Sequence, residues 1–174
     1  MPDTTLSQAL KEAYASAPVN VVIYHTLELW HPAFSAPIRV VRDHAALTAT
    51  LEATAPRDPG AAVLFAAFAF NFTKPEVSPN GVPQVTIEID NVDRVIVANI
   101  EAAMGTTDLV QVIYREFLSS DLTAPQNDPP LVLTVMSVTA DVFKVTATAG
   151  FPDLANRRFP TLEYDAQTFA GLVP

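Results

Sequence analysis

Hydrophobic and polar positions alternate with period two along most of this chain. The clearest run is Val19 to His31 (VNVVIYHTLELWH), rich in β-branched and aromatic residues. From Ile23 the alternation places Ile23, His25, Leu27 and Leu29 on one face. Tyr24, Thr26, Glu28 and Trp30 fall on the other. His31-Pro32 breaks the run, and a short strand follows at Ile38 to Arg42. Leu47 to Ala53 (LTATLEA) alternates again and fits a strand, although its Ala and Leu leave a helix open. In Ala62 to Thr73, Phe65 is out of step with Phe68, Phe70 and Phe72, which predicts a bulge or bend near Ala66-Ala67. Further strands are predicted at Gln84 to Asp90, Leu109 to Leu118, Val132 to Thr139 and Val142 to Thr148, with a tight hairpin at Ala140-Asp141.

Two segments carry helical spacing instead. Between Thr4 and Ser16, Leu6, Ala9, Leu10, Ala13 and Tyr14 recur at i, i+3, i+4, i+7 and i+8. Thr4 or Thr5 is the expected N-cap, and Pro18 ends the segment. A helix this short is marginal alone in water, so it must dock on something. The second helix runs from Arg94 to Met104, with Asp93 as N-cap and Gly105 as C-terminal cap. Leu154 to Arg158 forms at most one helical turn, and Leu162 to Pro174 reads as irregular. Lys74 to Pro83 holds three Pro and an Asn-Gly pair, hence a loop.

These elements predict a mainly β (α+β) fold. The expected form is an antiparallel β-sandwich or barrel of about eight strands, with an N-terminal helix and one internal helix. Residues 1–18 are expected to be a helical arm and residues 19–174 the body.

Composition narrows the function classes. A chain of 174 residues buries roughly 70% of its unfolded surface and needs no disulfide staples. Hydrophobic residues make up 49% and charged residues 17%, so the surface is poor in charge, and its apolar area either stays exposed or is covered by partner subunits. The 15 Pro against 5 Gly predict stiff loops. A net charge of −9, with Arg157-Arg158 the sole adjacent basic pair, argues against nucleic-acid binding. With no Cys there are no thiolate metal sites. No signal-peptide pattern begins the chain, and its longest apolar run, Ala61 to Phe70, is half the ~20 residues a spanning helix needs. Direct membrane insertion is therefore not expected.

Candidate chemistry is sparse. His25, His31 and His44 are the histidines, and His25 and His31 lie ~20 Å apart at strand rise, too far to share a ligand. All three are expected on strand surfaces. Asp90, Asn91 and Asp93 lack the closing Glu of a calcium loop. They are expected to build a strand-end turn and helix cap, with Arg94 pairing back to Asp90. No nucleophile elbow, dinucleotide fingerprint or phosphate loop occurs. Glu52, Glu76, Glu88, Glu101 and Glu116 are scattered singly. No catalytic residue, cofactor or metal site is expected. Trp30, Phe34 and the Phe65 to Phe72 cluster offer an alternative, a platform for carbohydrate or another ligand, although core packing is the commoner fate of such side chains. Lys74, Pro75, Val77 and Pro79 of the Pro-rich loop, with Leu6 and Leu10 of the first helix, are the candidate interface residues.

Several segments, in order, resemble a family of small tail-tip proteins of long-tailed bacteriophages catalogued as a domain of unknown function. They are the helix at Leu6 to Ala13, Thr26 to Pro32 (TLELWHP), Pro37 to Asp43 (PIRVVRD), Phe68 to Phe72 (FAFNF), and Pro83 to Arg94 with its Ile89 to Arg94 motif (IDNVDR). Phe159-Pro160 and Phe169 to Leu172 are similar to the family's closing pattern. The chain departs from it at Ala170, where the family has Pro, and at the longer loop Arg57 to Gly60. The resemblance implies a minor tail protein of the baseplate, made in the host cytoplasm and carried in the virion tail. It implies a place near the distal-tail and hub proteins and carries no catalytic residues; a ring of identical copies contacting distal-tail or hub proteins is the expected assembly.

Overall fold

The computed structural model describes residues 5–73, 84–90, 98–99, 102–103, 106, 108–141 and 144–151. The chain is mainly β. One helix, α1 (Gln8–Ser16), precedes nine strands: β1 (Ile23–Trp30), β2 (Ile38–Val41), β3 (Leu47–Thr50), β4 (Ala62–Ala67), β5 (Phe70–Phe72), β6 (Gln84–Asp90), β7 (Gln111–Leu118), β8 (Leu131–Ala140) and β9 (Lys144–Gly150). Residues 98, 99, 102 and 103 are helical as well, inside the second expected helix.

All nine strands join one sheet in the order β3-β4-β2-β1-β7-β8-β9-β6-β5. Every pairing is antiparallel except β2 with β4, which runs parallel through Val40↔Ala66 and Val41↔Ala67. The count exceeds the expected eight because the predicted Phe-rich strand is two. It breaks at Phe68-Ala69, close to the expected bend. The out-of-step phenylalanines explain the break. Phe65 is fully buried in a cluster with Leu51, Val63 and Phe117, whereas Phe68, Phe70 and Phe72 pack into the main core. Leu47 to Thr50 is a strand, and Asp141 N–H donates to the Lys144 carbonyl at 2.8 Å at the β8–β9 hairpin.

The two faces of β1 divide the packing as the alternation predicts. Leu27 and Leu29 join the main core with Val40, Val112 and Leu133. That core also contains Ile87 and Ile89 of β6 and Val145 of β9, so the sheet curves until strands far apart in its order share one interior. Thr26 and Glu28 face the other way, beneath β3, β4 and the segment joining them.

Helix α1 is capped by Ser7, two or three residues later than the expected Thr5 or Thr4. The Ser7 hydroxyl accepts from Leu10 N–H at 3.1 Å, and Ala17 closes the helix at φ 43°. The helix is not a free arm. Ser7 N–H donates to the Gln126 carbonyl at 2.8 Å, Asp128 N–H donates to the Thr5 carbonyl at 2.8 Å, and Leu6 bridges Asn127. Leu10 is fully buried against Ala13 and Leu118, which removes it from the candidate interface residues. Leu6 remains half-buried at the surface.

Candidate functional site

Strand β7 carries Arg115 and Glu116 side by side, and consecutive strand residues point to opposite faces. Both are fully buried, so each face of the sheet receives one charge and must satisfy it. On one face Thr26 and Arg115 are cross-strand partners, as are Glu28 and Arg39. Glu28 is itself fully buried, and its carboxylate accepts from three arginines. Arg115 Nη1 lies at 3.1 Å, Arg39 Nε at 3.2 Å and Arg57 Nε at 2.9 Å. Glu52 grips Arg115 with both oxygens, at 2.7 and 2.8 Å, the bidentate geometry that suits a guanidinium. Asp58, at the surface, accepts from Arg39 Nη2 at 2.6 Å. The segment between β3 and β4 thus acts as a strap. It delivers Glu52, Arg57 and Asp58 onto the charges of β1, β2 and β7. Arg57 also donates to Gln111 at 3.0 Å and lies 4.5 Å above the Trp30 ring. Three arginines and three carboxylates balance in this cluster.

On the opposite face Glu116 organises a second cluster. Its Oε1 accepts from the Tyr14 hydroxyl of α1 at 2.5 Å and the Tyr114 hydroxyl at 2.6 Å. His25 Nδ1 lies 2.6 Å from the Tyr114 oxygen and 3.4 Å from Glu116 Oε1. Since Tyr114 donates its proton to Glu116, the His25 nitrogen is the donor to Tyr114. Asn127 holds the backbone in place: its Oδ1 accepts from Glu116 N–H at 2.9 Å and its Nδ2 donates to the Tyr114 carbonyl at 3.1 Å. Burial pushes the Tyr114 phenol far above its ordinary value of 10.0, helped by the charge and hydrogen bond of Glu116. Tyr14 is raised in the same way, burial first, then its Glu116 bond; Arg42 opposes both shifts. The phenols therefore act as fixed hydrogen-bond donors.

Beside Glu116 opens a cleft of about 380 Å³, lined by residues that include Leu6, Tyr114, Asn127, Pro130 and Phe151. Its volume falls in the range of roughly 300–1,000 Å³ typical of ligand sites. It forms where β8 begins late. Tyr114 pairs with Leu131, and beyond that point β7 is flanked by Gln126 and Asn127 instead of a strand.

The expected site residues fare differently. Asp90 ends β6 opposite Lys144. Asn91, Asp93 and Arg94 lie outside the described residues, as do Lys74, Pro75, Val77 and Pro79. His44 is exposed and His25 half-buried, but His31 is fully buried, against expectation. It lies just past β1. Its Nδ1 accepts from Ala33 N–H at 3.0 Å, so the proton sits on Nε2, facing the Asp108 carbonyl at 3.2 Å and the Thr106 hydroxyl at 3.0 Å. Phe34, Phe65 and Phe70 are buried in the cores and form no platform. Among the described residues no group of three His, Cys, Asp or Glu side chains could hold a metal, and no helix is long and apolar enough to cross a membrane.

Sequence reasoning passed over Glu28 and Arg115. The available signal was a charged residue inside LELW and an adjacent charged pair inside YREF, where neither face of an apolar strand can leave both in water.

A family model described as a domain of unknown function, DUF1833, matches residues 9–164. The chain belongs to this family. No curated protein matches it. Both buried clusters and most of the cleft lie within the span matched to DUF1833; among the described lining residues only Thr5 and Leu6 precede it.

Proposed function

We propose that this DUF1833 chain is a structural, non-enzymatic subunit of the tail tip of a long-tailed bacteriophage or prophage. It forms a ring with its own copies and contacts the distal-tail or hub proteins. What carries the proposal is the ordered likeness to tail-tip proteins, from Leu6 to Leu172. The ionic clusters support it, because their charges bind one another across β1, β2, β7 and the strap and so stiffen a scaffold. Exposed Val19, Val22, Leu64, Leu109 and Met136 supply apolar surface of the kind that subunit contacts bury. A ring arises when a heterologous contact closes on itself. Within the subunit, β4 and β5 act as one bent strand that pairs with β2 on one side and β6 on the other, with β3 appended outside, a barrel rather than a sandwich. Lys74, Pro75, Val77, Pro79 and Leu6 are the residues assigned to the inter-subunit contacts. The protein is made in the bacterial cytoplasm and resides in the assembled tail.

Purified tails decide the matter. Mass spectrometry should detect the chain, and imaging should place it at the distal end as a closed ring; its absence from intact tails would sink the proposal. The cleft favours a second reading, a ligand-binding domain. Trp30 does not serve a sugar in it, since Arg57 already covers one ring face.

A further inference from the structure

We propose that the open edge of β8, Met136 to Ala140, receives an extended segment of a different protein as an added strand; only the identity of that neighbour rests on the tail-tip reading. Beyond Thr134, β8 has a strand partner on one side alone. Ser137 to Ala140 pair with β9, whereas β7 begins at Gln111, opposite Thr134. Val135 N–H still donates to the Val110 carbonyl at 2.8 Å, and a bulge between Val135 and Ser137 follows. Among the described residues, no backbone hydrogen bond reaches Met136 to Ala140 from the β7 side. Met136, Ser137 and Thr139 are accordingly exposed. Such a row of N–H and C=O groups is a template for another chain. The segment, MSVTA, holds neither a charged residue nor a proline, the side chains that keep natural edges from pairing.

Shape and charge describe the occupant. Asp108 to Val110 and Val135 to Val138 face each other across a groove of about 330 Å³, with Ala103, Leu109 and Met136 in its apolar lining. The groove lies where β7 would run had it begun earlier. Its far wall is fixed, because His31 meets the Asp108 carbonyl at 3.2 Å and the Thr106 hydroxyl at 3.0 Å. An added strand satisfies the edge with its backbone, and every second side chain enters the groove beside Val138, which packs against the main core. Those side chains are apolar, and the alternate ones face water. Asp108 and Asp141 stand exposed near the two ends of the edge and favour a segment flanked by Lys or Arg. The same two charges disfavour a second copy of this chain. Antiparallel pairing of two such edges sets Asp141 of each copy near Asp108 of the other, and each copy already carries −9.

Amide NMR of the intact protein tests this with the end-capped peptide KTVTVTK, alongside ETVTVTE and a KTVTVTK whose central amides are all N-methylated. Expected is saturable binding of the first peptide, on the order of 0.1–1 mM, with hydrogen exchange at alternate amides of Met136 to Ala140 slowed roughly tenfold or more at saturation. ETVTVTE should bind more weakly. The N-methylated peptide keeps its side chains but cannot donate, and should not bind. Leu109→Trp fills the groove from an exposed position and should abolish binding while thermal melting stays cooperative. Asp108→Asn combined with Asp141→Asn should remove the preference for lysine flanks. The proposal is overturned if KTVTVTK does not bind, if either control peptide binds equally, or if folded Leu109→Trp binds as well as the parent. Protection of the same amides by self-association, without peptide, would overturn it in favour of a second copy. Absence of the chain from tails with peptide binding intact removes the tail reading alone. Its presence in tails without peptide binding removes the edge proposal alone.

Discussion

Replacing Glu28 by Gln should be among the most damaging single changes in this protein that alter no volume. Glu28 is fully buried and faces three arginines, at 2.9, 3.1 and 3.2 Å. Its removal leaves Arg39, Arg57 and Arg115 with only Glu52 and Asp58 for balance. Coulomb attraction lost inside a protein is not returned by solvent, because Arg115 stays buried whether or not it is paired. Breaking a buried pair by removing one partner costs about 3–5 kcal/mol, a large share of the about 5–15 kcal/mol that holds a domain together. The neighbouring Asp58→Asn makes the internal control. Asp58 pairs with Arg39 at 2.6 Å, shorter than any Glu28 contact, but its side chain is 52% exposed. Its loss should therefore cost about 0–1 kcal/mol. Urea denaturation measures both, with a lowered midpoint and an unchanged slope for each variant. Added salt should leave the Glu28→Gln deficit in place, because buried charges are screened little. If the two variants lose the same stability within about 0.5 kcal/mol, the buried network is not what holds the strap, and distance rather than burial would have to set the energy.

Ser7→Ala removes the α1 cap and should cost about 0.5–2 kcal/mol by the same assay; no change would mean that the Thr5–Asp128 and Ser7–Gln126 backbone bonds alone define the helix start. Leu10→Ala empties a fully buried position and should cost about 2–5 kcal/mol, whereas a nearly neutral result would mean that α1 is not held through this side chain. Tyr14 and Tyr114 are raised above 10.0 on folding, so the unfolded chain releases phenolic protons first as pH climbs. Their contribution is complete below pH 10 and declines above it. An alkaline titration followed by phenolate absorbance should show both ionising only together with unfolding, and ionisation of either in the intact fold contradicts the Glu116 geometry.

The strands were largely legible in the sequence because one face of each is buried, which writes the fold into a period of two. Gln84 to Asp90 is read to the residue, and Ile38 opens a strand and Leu118 closes one where the pattern places them. What resisted reading was everything decided by distant partners. Nothing local to Thr4 or Thr5 disfavours them as caps. Ser7 takes the role because Gln126, 119 residues away, holds it from the other side. The strap could not be foreseen because Glu52, Arg57 and Asp58 resemble any polar loop until β1, β2 and β7 bring Glu28, Arg39 and Arg115 beneath them. The late start of β8, which opens the cleft, likewise depends on Asn127 substituting for strand pairing beside Glu116. His31 was misplaced on the surface because a residue just beyond a strand gives no periodic sign of its burial.

The adjacent charges of β7 also explain how a charge-poor chain keeps a unique curvature. A strand buried on both faces has little alternation to hold its register against a slide, since one apolar side chain can replace another. Arg115 and Glu116 forbid that slide on both faces at once. A shift by one residue would move the guanidinium away from Glu28 and Glu52 and the carboxylate away from Tyr14, Tyr114 and His25. Each side would then hold an unpaired buried charge. Helix α1 joins the lock through Tyr14 on one face, and the strap joins it through Glu52 on the other. The two segments that look most peripheral in the sequence thus fix the register of the central β1–β7 pair. This leaves exposed residues such as Val19, Val22, Leu109 and Met136, which lie outside both charged clusters, as surface that assembly is free to bury.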